Sequence, residues 1–220
     1  MKVWIPNDDG RSLLGELPPE LTVEVAPDVE RLPSDPAGVR FWVPPFLAQA
    51  ELARLVVAMP DLAAVQLLSA GADAWVGQLP EHVTLCDARG VHDSSTAEWV
   101  MAAILAYLRE FPGFAQAQSR REWSYAGFAP TDELAGKRVL LVGAGSIGAA
   151  VHARLAPFEV DVTLVARTAR PADNVHAVSE LPQLLPAADI VVLIVPLTDE
   201  TRGLVDARFL AAMPDGALLV

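Results

Sequence analysis

Cysteine is almost missing from this chain. Cys86 is the only one in 220 residues, so no internal disulfide can staple the fold. It sits in the strand-like run Val83-Thr84-Leu85-Cys86-Asp87, where a buried structural thiol is expected rather than a nucleophile. Metal-ligand spacing is missing too: His82, His92, His152 and His176 are scattered without a cysteine or carboxylate cluster, and no metal is expected. Basic charge is scarce. With 16 Lys and Arg against 28 Asp and Glu, the formal net charge is -12, which would repel nucleic acid or an anionic membrane over most of the surface, so neither is expected as a partner. No apolar run approaches a membrane span, and the apolar start Met1-Lys2-Val3-Trp4-Ile5-Pro6 is too short for a signal peptide. A cytoplasmic protein is expected.

What the chain has in quantity is apolar character, 52% of its residues, ample for one large or two small domains. Its most informative stretch is Arg138 to Gly148, where Val139-Leu140-Leu141-Val142 feeds into Gly143-Ala144-Gly145-Ser146-Ile147-Gly148. Gly143 permits a turn that a side chain would obstruct. Gly145 leaves room for a pyrophosphate against the backbone, and Gly148 lets the next helix pack close to the strand. The phosphates would face free N–H groups at the start of that helix, whose dipole adds partial positive charge. Three glycines alone are a weak signal. Here Ile147, Val151 and Leu155 recur at helical spacing and Val160 to Val165 reads as a second strand, so strand, turn, helix and strand follow in the order that dinucleotide binding requires. A methyltransferase using the same turn is the competing reading.

Ahead of the turn, Lys2 to Pro6, Leu21 to Ala26, Val39 to Val43, Ala64 to Leu68 and Val83 to Cys86 read as strands separated by proline-rich connections. A helix is expected over Leu47 to Met59, with Leu52, Leu55 and Val56 as its apolar stripe and Pro60 as its stop. Such alternation indicates a parallel sheet covered on both faces. Trp4, Trp42 and Trp75 either fill its core or flank a pocket. Ser94 or Ser95 is then expected to cap a long helix through Met101, Ile104, Leu105 and Leu108, with Glu98 completing a capping box and Pro112-Gly113 ending or interrupting it. Core packing and a subunit interface both account for that helix's apolar surface. After the second strand of the nucleotide unit come a short helix (Glu180 to Leu185), a central strand (Ile190 to Val195), a helix (Asp206 to Met213) and the start of a strand at Ala217 to Val220. A buried strand is an improbable natural terminus, so the chain is expected to be a fragment of a longer protein. The domain boundary is expected near Val91 to Ser95, giving domains 1–94 and 95–220.

Several stretches together resemble the D-isomer-specific 2-hydroxyacid dehydrogenases, in order and in spacing: Leu68-Ser69-Ala70-Gly71-Ala72-Asp73, Ser95-Thr96-Ala97-Glu98, the turn Gly143 to Gly148, Val195-Pro196-Leu197-Thr198-Asp199-Glu200-Thr201, and Met213-Pro214-Asp215-Gly216-Ala217-Leu218-Leu219-Val220. The resemblance implies an α/β protein with a flavodoxin-like substrate domain and a Rossmann-type, doubly wound parallel-sheet nucleotide-binding domain cut short at Val220. It also implies a cleft between the two, and a homodimer held through the second. The chemistry implied is hydride transfer between NAD(P)H and a small 2-oxo or D-2-hydroxy acid, with a histidine supplying the proton and an arginine binding the carboxylate. On this resemblance Ala70 and Gly71 offer amides to the carboxylate, while Thr96, Gly143, Gly145, Ser146, Ile147, Gly148, Pro196 and Thr201 border the cofactor. The family's arginine, acid and histidine fall after Val220, so no catalytic residue is assigned. His152 belongs to the helix after the turn, and a solvated or capping role is expected for His92. The alternative class is a catalytically inactive nucleotide-binding protein that ends naturally at Val220. Glyoxylate, hydroxypyruvate, phosphohydroxypyruvate and bulkier 2-oxo acids all remain open as substrates.

The end of the second strand, Val165-Ala166-Arg167-Thr168-Ala169-Arg170, bears on the cofactor. An NAD site usually places an acid there, about 20 residues after the turn, to bind the ribose 2′-hydroxyl. Here that position is Ala166, followed by Arg167, Thr168 and Arg170, a locally positive stretch suited to a 2′-phosphate. NADP is therefore expected over NAD, by roughly tenfold to a hundredfold. The pattern also resembles the NADP-using glyoxylate and hydroxypyruvate reductases of the family.

Overall fold

Val3 and Ile5 turn to one side of a strand and Trp4 to the other, the period of two that a sheet covered on both faces demands. The computed structural model describes residues 1–28, 32–46, 48 and 50–220, and these form two units, Met1–His92 and Asp93–Val220. In the first unit, β1 (Lys2–Ile5), β2 (Thr22–Val25), β3 (Val39–Trp42), β4 (Ala64–Gln66) and β5 (Thr84–Cys86) pair in parallel, in the order β2-β1-β3-β4-β5. That is the flavodoxin-like order. Trp4, Val39, Trp42 and Val65 build the larger core on one face, and Val3, Ile5 and Val23 build a smaller one on the other.

The tryptophans resolve toward the core. Trp42 and Trp75 meet edge to face with centroids 5.9 Å apart. The indole N–H of Trp4 donates to Glu24 (2.9 Å) and that of Trp75 to the Ala48 carbonyl (3.1 Å), so each polar tip is satisfied. Leu47 lies outside the described residues. From Ala50 to Ala58 the expected helix is present as a 3₁₀ helix, burying Ala53 and Val56 with Leu52 and Leu55 partly covered. Cys86 is half-buried rather than buried, since β5 is the outer strand of its sheet. A short helix that hydrophobic periodicity does not reveal, α1 (Asp8–Leu13), buries none of its residues and is started by Asn7, whose side chain accepts from the Gly10 amide at 2.7 Å.

The second unit opens with α2 (Asp93–Leu108), α3 (Phe111–Ser119) and α4 (Tyr125–Phe128). There follow β6 (Arg138–Val142), α5 (Ser146–Leu155), β7 (Asp161–Ala166), β8 (Val175–Ala177), α6 (Leu181–Leu184, between two 3₁₀ turns), β9 (Ile190–Leu193), α7 (Ala207–Ala212) and β10 (Leu218–Leu219). The parallel order is β10-β9-β6-β7-β8, the Rossmann arrangement with β6 in the middle. Leu141 lies between Leu164 of β7 and Val192 of β9. Val139 and Leu141 pack under α2 and α5, while Leu140 and Val142 face α6 and α7, so β6 is apolar throughout because both its faces are covered. Burying each such side chain contributes about 1.5–3 kcal/mol relative to leaving it exposed.

Two expectations at helix ends are corrected. α2 begins at Asp93, so Ser94 and Ser95 lie inside its first turn instead of ahead of it; Ser94 Oγ accepts from Arg154 Nη2 of α5 at 2.6 Å, and Glu98 also faces that guanidinium. Pro112 begins a helix and does not end one. The break falls earlier, where Glu110 adopts φ +56°, and Pro112 occupies the first turn of α3, where a missing N–H costs nothing. Among the described residues no helix is long and apolar enough to cross a membrane. Among the same residues no group of three or more His, Cys, Asp or Glu is placed to hold a metal.

Candidate functional site

At the carboxyl end of β6 the chain turns through Gly143 at φ +120°, a conformation L side chains rarely adopt, and a Cβ there would stand 2.0 Å from the Ile194 carbonyl oxygen. A Cβ on Gly148 would stand 1.8 Å from the Gly143 carbonyl oxygen. These two glycines are therefore fixed by the close approach of turn, β9 and α5. Gly145 differs: a Cβ there meets nothing within 4 Å. Its surroundings are open, which is what a group docking against its backbone needs.

No side chain caps α5, so the amides at its start have no intrahelical acceptor and face outward with the positive end of the helix dipole. The Ser146 hydroxyl is committed elsewhere. It donates to Asp93 Oδ2 at the start of α2, leaving the Ser146 amide for a ligand, while Asp93 Oδ1 is buried with no partner among the described residues. Ile147 packs its side chain into the core with Val151 and Leu155, so only its backbone can serve the turn. Thr96 sits half-buried in the first turns of α2, the helix that packs along α5.

The flanks of the turn come from the two neighbouring strands. After β7, the Arg167 side chain is 83% exposed, with Nη1 3.8 Å from Glu200 Oε2; Thr168 is exposed. Arg170 reaches back to the turn, donating from Nη2 to the Ala144 carbonyl at 3.1 Å, and its Nε lies 3.3 Å from Asp173. After β9, Thr201 Oγ1 donates to the Pro196 carbonyl at 2.5 Å and accepts from the Thr198 amide at 2.8 Å, which fixes the loop between them. Gly143 to Gly148, Arg167, Thr168, Arg170, Pro196 and Thr201 thus gather at the carboxyl edge of β6, β7 and β9, where ligands of open α/β sheets bind. The carboxylate of Glu200 facing Arg167 is the feature that motif reading misses, since the two are remote in sequence.

Ala70 and Gly71 belong to the first unit, in the bend after β4. Among the described residues neither amide donates a hydrogen bond, and Ser69 Oγ donates to the Gly71 carbonyl at 2.7 Å, shaping the bend. His92 is tied to this segment. Its Nε2 is 2.7 Å from the Leu68 carbonyl and its ring lies 5.7 Å from that of Phe46, so it is half-buried rather than solvated.

The best-shifted acid of the second unit is structural. Asp189 accepts from the Arg138 amide (2.8 Å), Nε (3.1 Å) and Nη2 (2.8 Å), clamping the start of β6 to that of β9. The guanidinium bonds, followed by the backbone bond, lower its pKa to about 2. It stands at the opposite end of the strands from the glycine turn.

Comparison with known proteins covers both units. The model of the D-isomer specific 2-hydroxyacid dehydrogenase NAD binding domain matches residues 101–220. Hydroxyphenylpyruvate reductase of Plectranthus scutellarioides is 30% identical over 207 residues, covering 82% of this chain, which spans 64% of that enzyme's length. A D-isomer specific 2-hydroxyacid dehydrogenase from Xanthobacter autotrophicus Py2, solved in complex with NADPH and MES, superposes with a TM-score of 0.79 at 31% identity, over 100% of this chain and 71% of its own. The NADPH-dependent glyoxylate/hydroxypyruvate reductase of Sinorhizobium meliloti, solved with NADP and sulfate, gives 0.76 at 25% identity, over 98% and 70%. None of these relatives supports the catalytically inactive alternative.

Proposed function

The chain belongs to the D-isomer specific 2-hydroxyacid dehydrogenase family, and from that membership we propose that its protein transfers hydride between NADPH and a small 2-oxo acid or D-2-hydroxy acid. When bound, the cofactor supplies the hydride. The remaining work falls to the chain. The amides opening α5 and the open space at Gly145 suit a pyrophosphate. Thr96, Pro196 and Thr201 border the same dinucleotide, Thr201 by holding its loop in shape. The amides of Ala70 and Gly71, which donate to no acceptor among the described residues, suit a substrate carboxylate. Roles for an acid–base pair and a carboxylate-binding arginine are not assigned to any of residues 1–220.

The observation that carries the cofactor preference is Arg167 at the end of β7, with Ala166 where an NAD site would hold an acid. A guanidinium there can meet a 2′-phosphate with paired, charge-assisted bonds. NADPH and NADH titrated into the wild type and Arg167→Asp test this. The variant should lose NADPH affinity by about tenfold or more while NADH changes little. Equal affinities in the wild type overturn the assignment.

A homodimer formed through the second unit completes the reading. Trp123 is 94% exposed, and with Phe114, Ala117 and Tyr125 it lines a largely apolar groove of about 510 Å³ beside α3 and α4. Large exposed apolar surface of this kind favours association.

A further inference from the structure

The arginines at the end of β7 are both met by carboxylates, Arg167 by Glu200 and Arg170 by Asp173. The positive charge of residues 166–170 is thereby offset, but the two acids differ in kind. Asp173 is three residues from its partner and belongs to the same turn. Glu200 arrives from the loop after β9, on the other side of β6 from β7. That loop is stapled by Thr201, and within it Thr198 Oγ1 lies 3.4 Å from Glu200 Oε2 while the same carboxylate oxygen faces Arg167.

We infer that Glu200 is a second specificity-determining residue of the cofactor site, a carboxylate that competes with the 2′-phosphate of NADPH for Arg167. The inference rests on the assignment of Arg167 to that phosphate. A phosphomonoester carries a charge of about -1.5 to -2 at neutral pH. At Arg167 it meets a guanidinium whose charge is already partly offset by Glu200, and it stands beside a like charge. NADH, with a hydroxyl at that position, meets neither obstacle. Discrimination is a difference between two affinities, and a group that opposes one ligand sets it as surely as a group that favours the other. Because the two side chains are 83% and 71% exposed, their pairing is screened and Glu200 tunes the preference without reversing it.

Glu200→Gln keeps the length of the side chain and its ability to accept from Thr198 while removing the charge. NADPH and NADH are titrated at low ionic strength into the wild type, Glu200→Gln, Arg167→Ala and the double variant. NADPH should bind Glu200→Gln about threefold tighter, with NADH within about 1.5-fold of wild type. The NADPH gain should shrink in the Arg167→Ala background, where only the repulsion between Glu200 and the phosphate is left to relieve, and should shrink in high salt. Unchanged NADPH affinity in Glu200→Gln, equal tightening of both cofactors, or a gain undiminished without Arg167 overturns the role given to Glu200. If Arg167→Ala alone leaves NADPH binding intact, the assignment of Arg167 itself fails, a result separable from the other three.

Discussion

An alanine at position 148 would place its Cβ 1.8 Å from the carbonyl oxygen of Gly143, where ordinary contact begins at 3.4 Å. The obstruction is backbone in a tight turn, not the free end of a side chain, so it cannot swing aside. α5 must instead withdraw from the turn by roughly 1.5 Å, and the fully buried Val151 and Leu155 move with it, opening the layer between α5 and β6. Backbone shifts forced into a packed core typically cost about 1–3 kcal/mol, and the depth of this overlap sets Gly148→Ala near the top of that range. For a unit of this size, each kcal/mol lowers the melting temperature by about 3–5 °C, so a fall of roughly 10 °C is expected. Thermal unfolding followed by circular dichroism reads it directly. Gly127→Ala is the control, because a Cβ there meets nothing within 4 Å, and it should stay within about 0.5 kcal/mol of wild type. A Gly148→Ala protein that melts with the control would refute the close packing of α5 on the turn.

Gly145→Val should separate binding from folding: its unfolding midpoint should stay close to wild type, since a Cβ there meets nothing within 4 Å, while titration should detect no cofactor binding. Asp189 has a folded-state pKa lowered from 3.8 to about 2, so its contribution is fully present above about pH 4 and is lost as pH falls toward 2. Asp189→Asn should accordingly lower stability at pH 6 and flatten the decline between pH 4 and 2, as measured by urea unfolding across that range; an unchanged pH profile would count against the Arg138 clamp. Trp123→Asp should convert the proposed dimer to monomer in analytical ultracentrifugation while leaving the monomer's circular dichroism spectrum unchanged, and a dimer that persists would move the interface elsewhere.

Most strands were legible because they lie in short apolar runs bounded by proline, glycine or charge, and because β6 and β9 are apolar at successive positions, as doubly covered strands are. Elements without a buried face were not. α1 leaves no hydrophobic period, and its one signal is Asn7 followed by two acids, Asp8 and Asp9, in the first turn. β8 has His176 as the middle of its three residues and Asn174 just ahead of it, so no apolar run marks it. Pro112 was ambiguous in principle, because proline both stops helices and opens them, and only the left-handed Glu110 ahead of it decides between the two. At the candidate site the glycines and arginines stand out as motifs, whereas their partners do not. Asp93 meets Ser146 across 53 residues and Glu200 meets Arg167 across the sheet, and neither pairing leaves a trace in local sequence.

The position of β6 between β7 and β9 makes the site modular. On the reading proposed here, the turn that receives the pyrophosphate is part of the middle strand's own connection, locked by Gly143 and Gly148 against neighbouring backbone. On the same reading, the groups that would meet the adenosine ribose follow the two flanking strands as exposed side chains. Changes at residues 167, 168, 199 or 200 can therefore accumulate without disturbing the packing that shapes the turn, whereas Arg170 bonds the Ala144 carbonyl of the turn itself. Cofactor choice in such a protein is free to drift, or to be redesigned, while the grip on the shared pyrophosphate stays as it was.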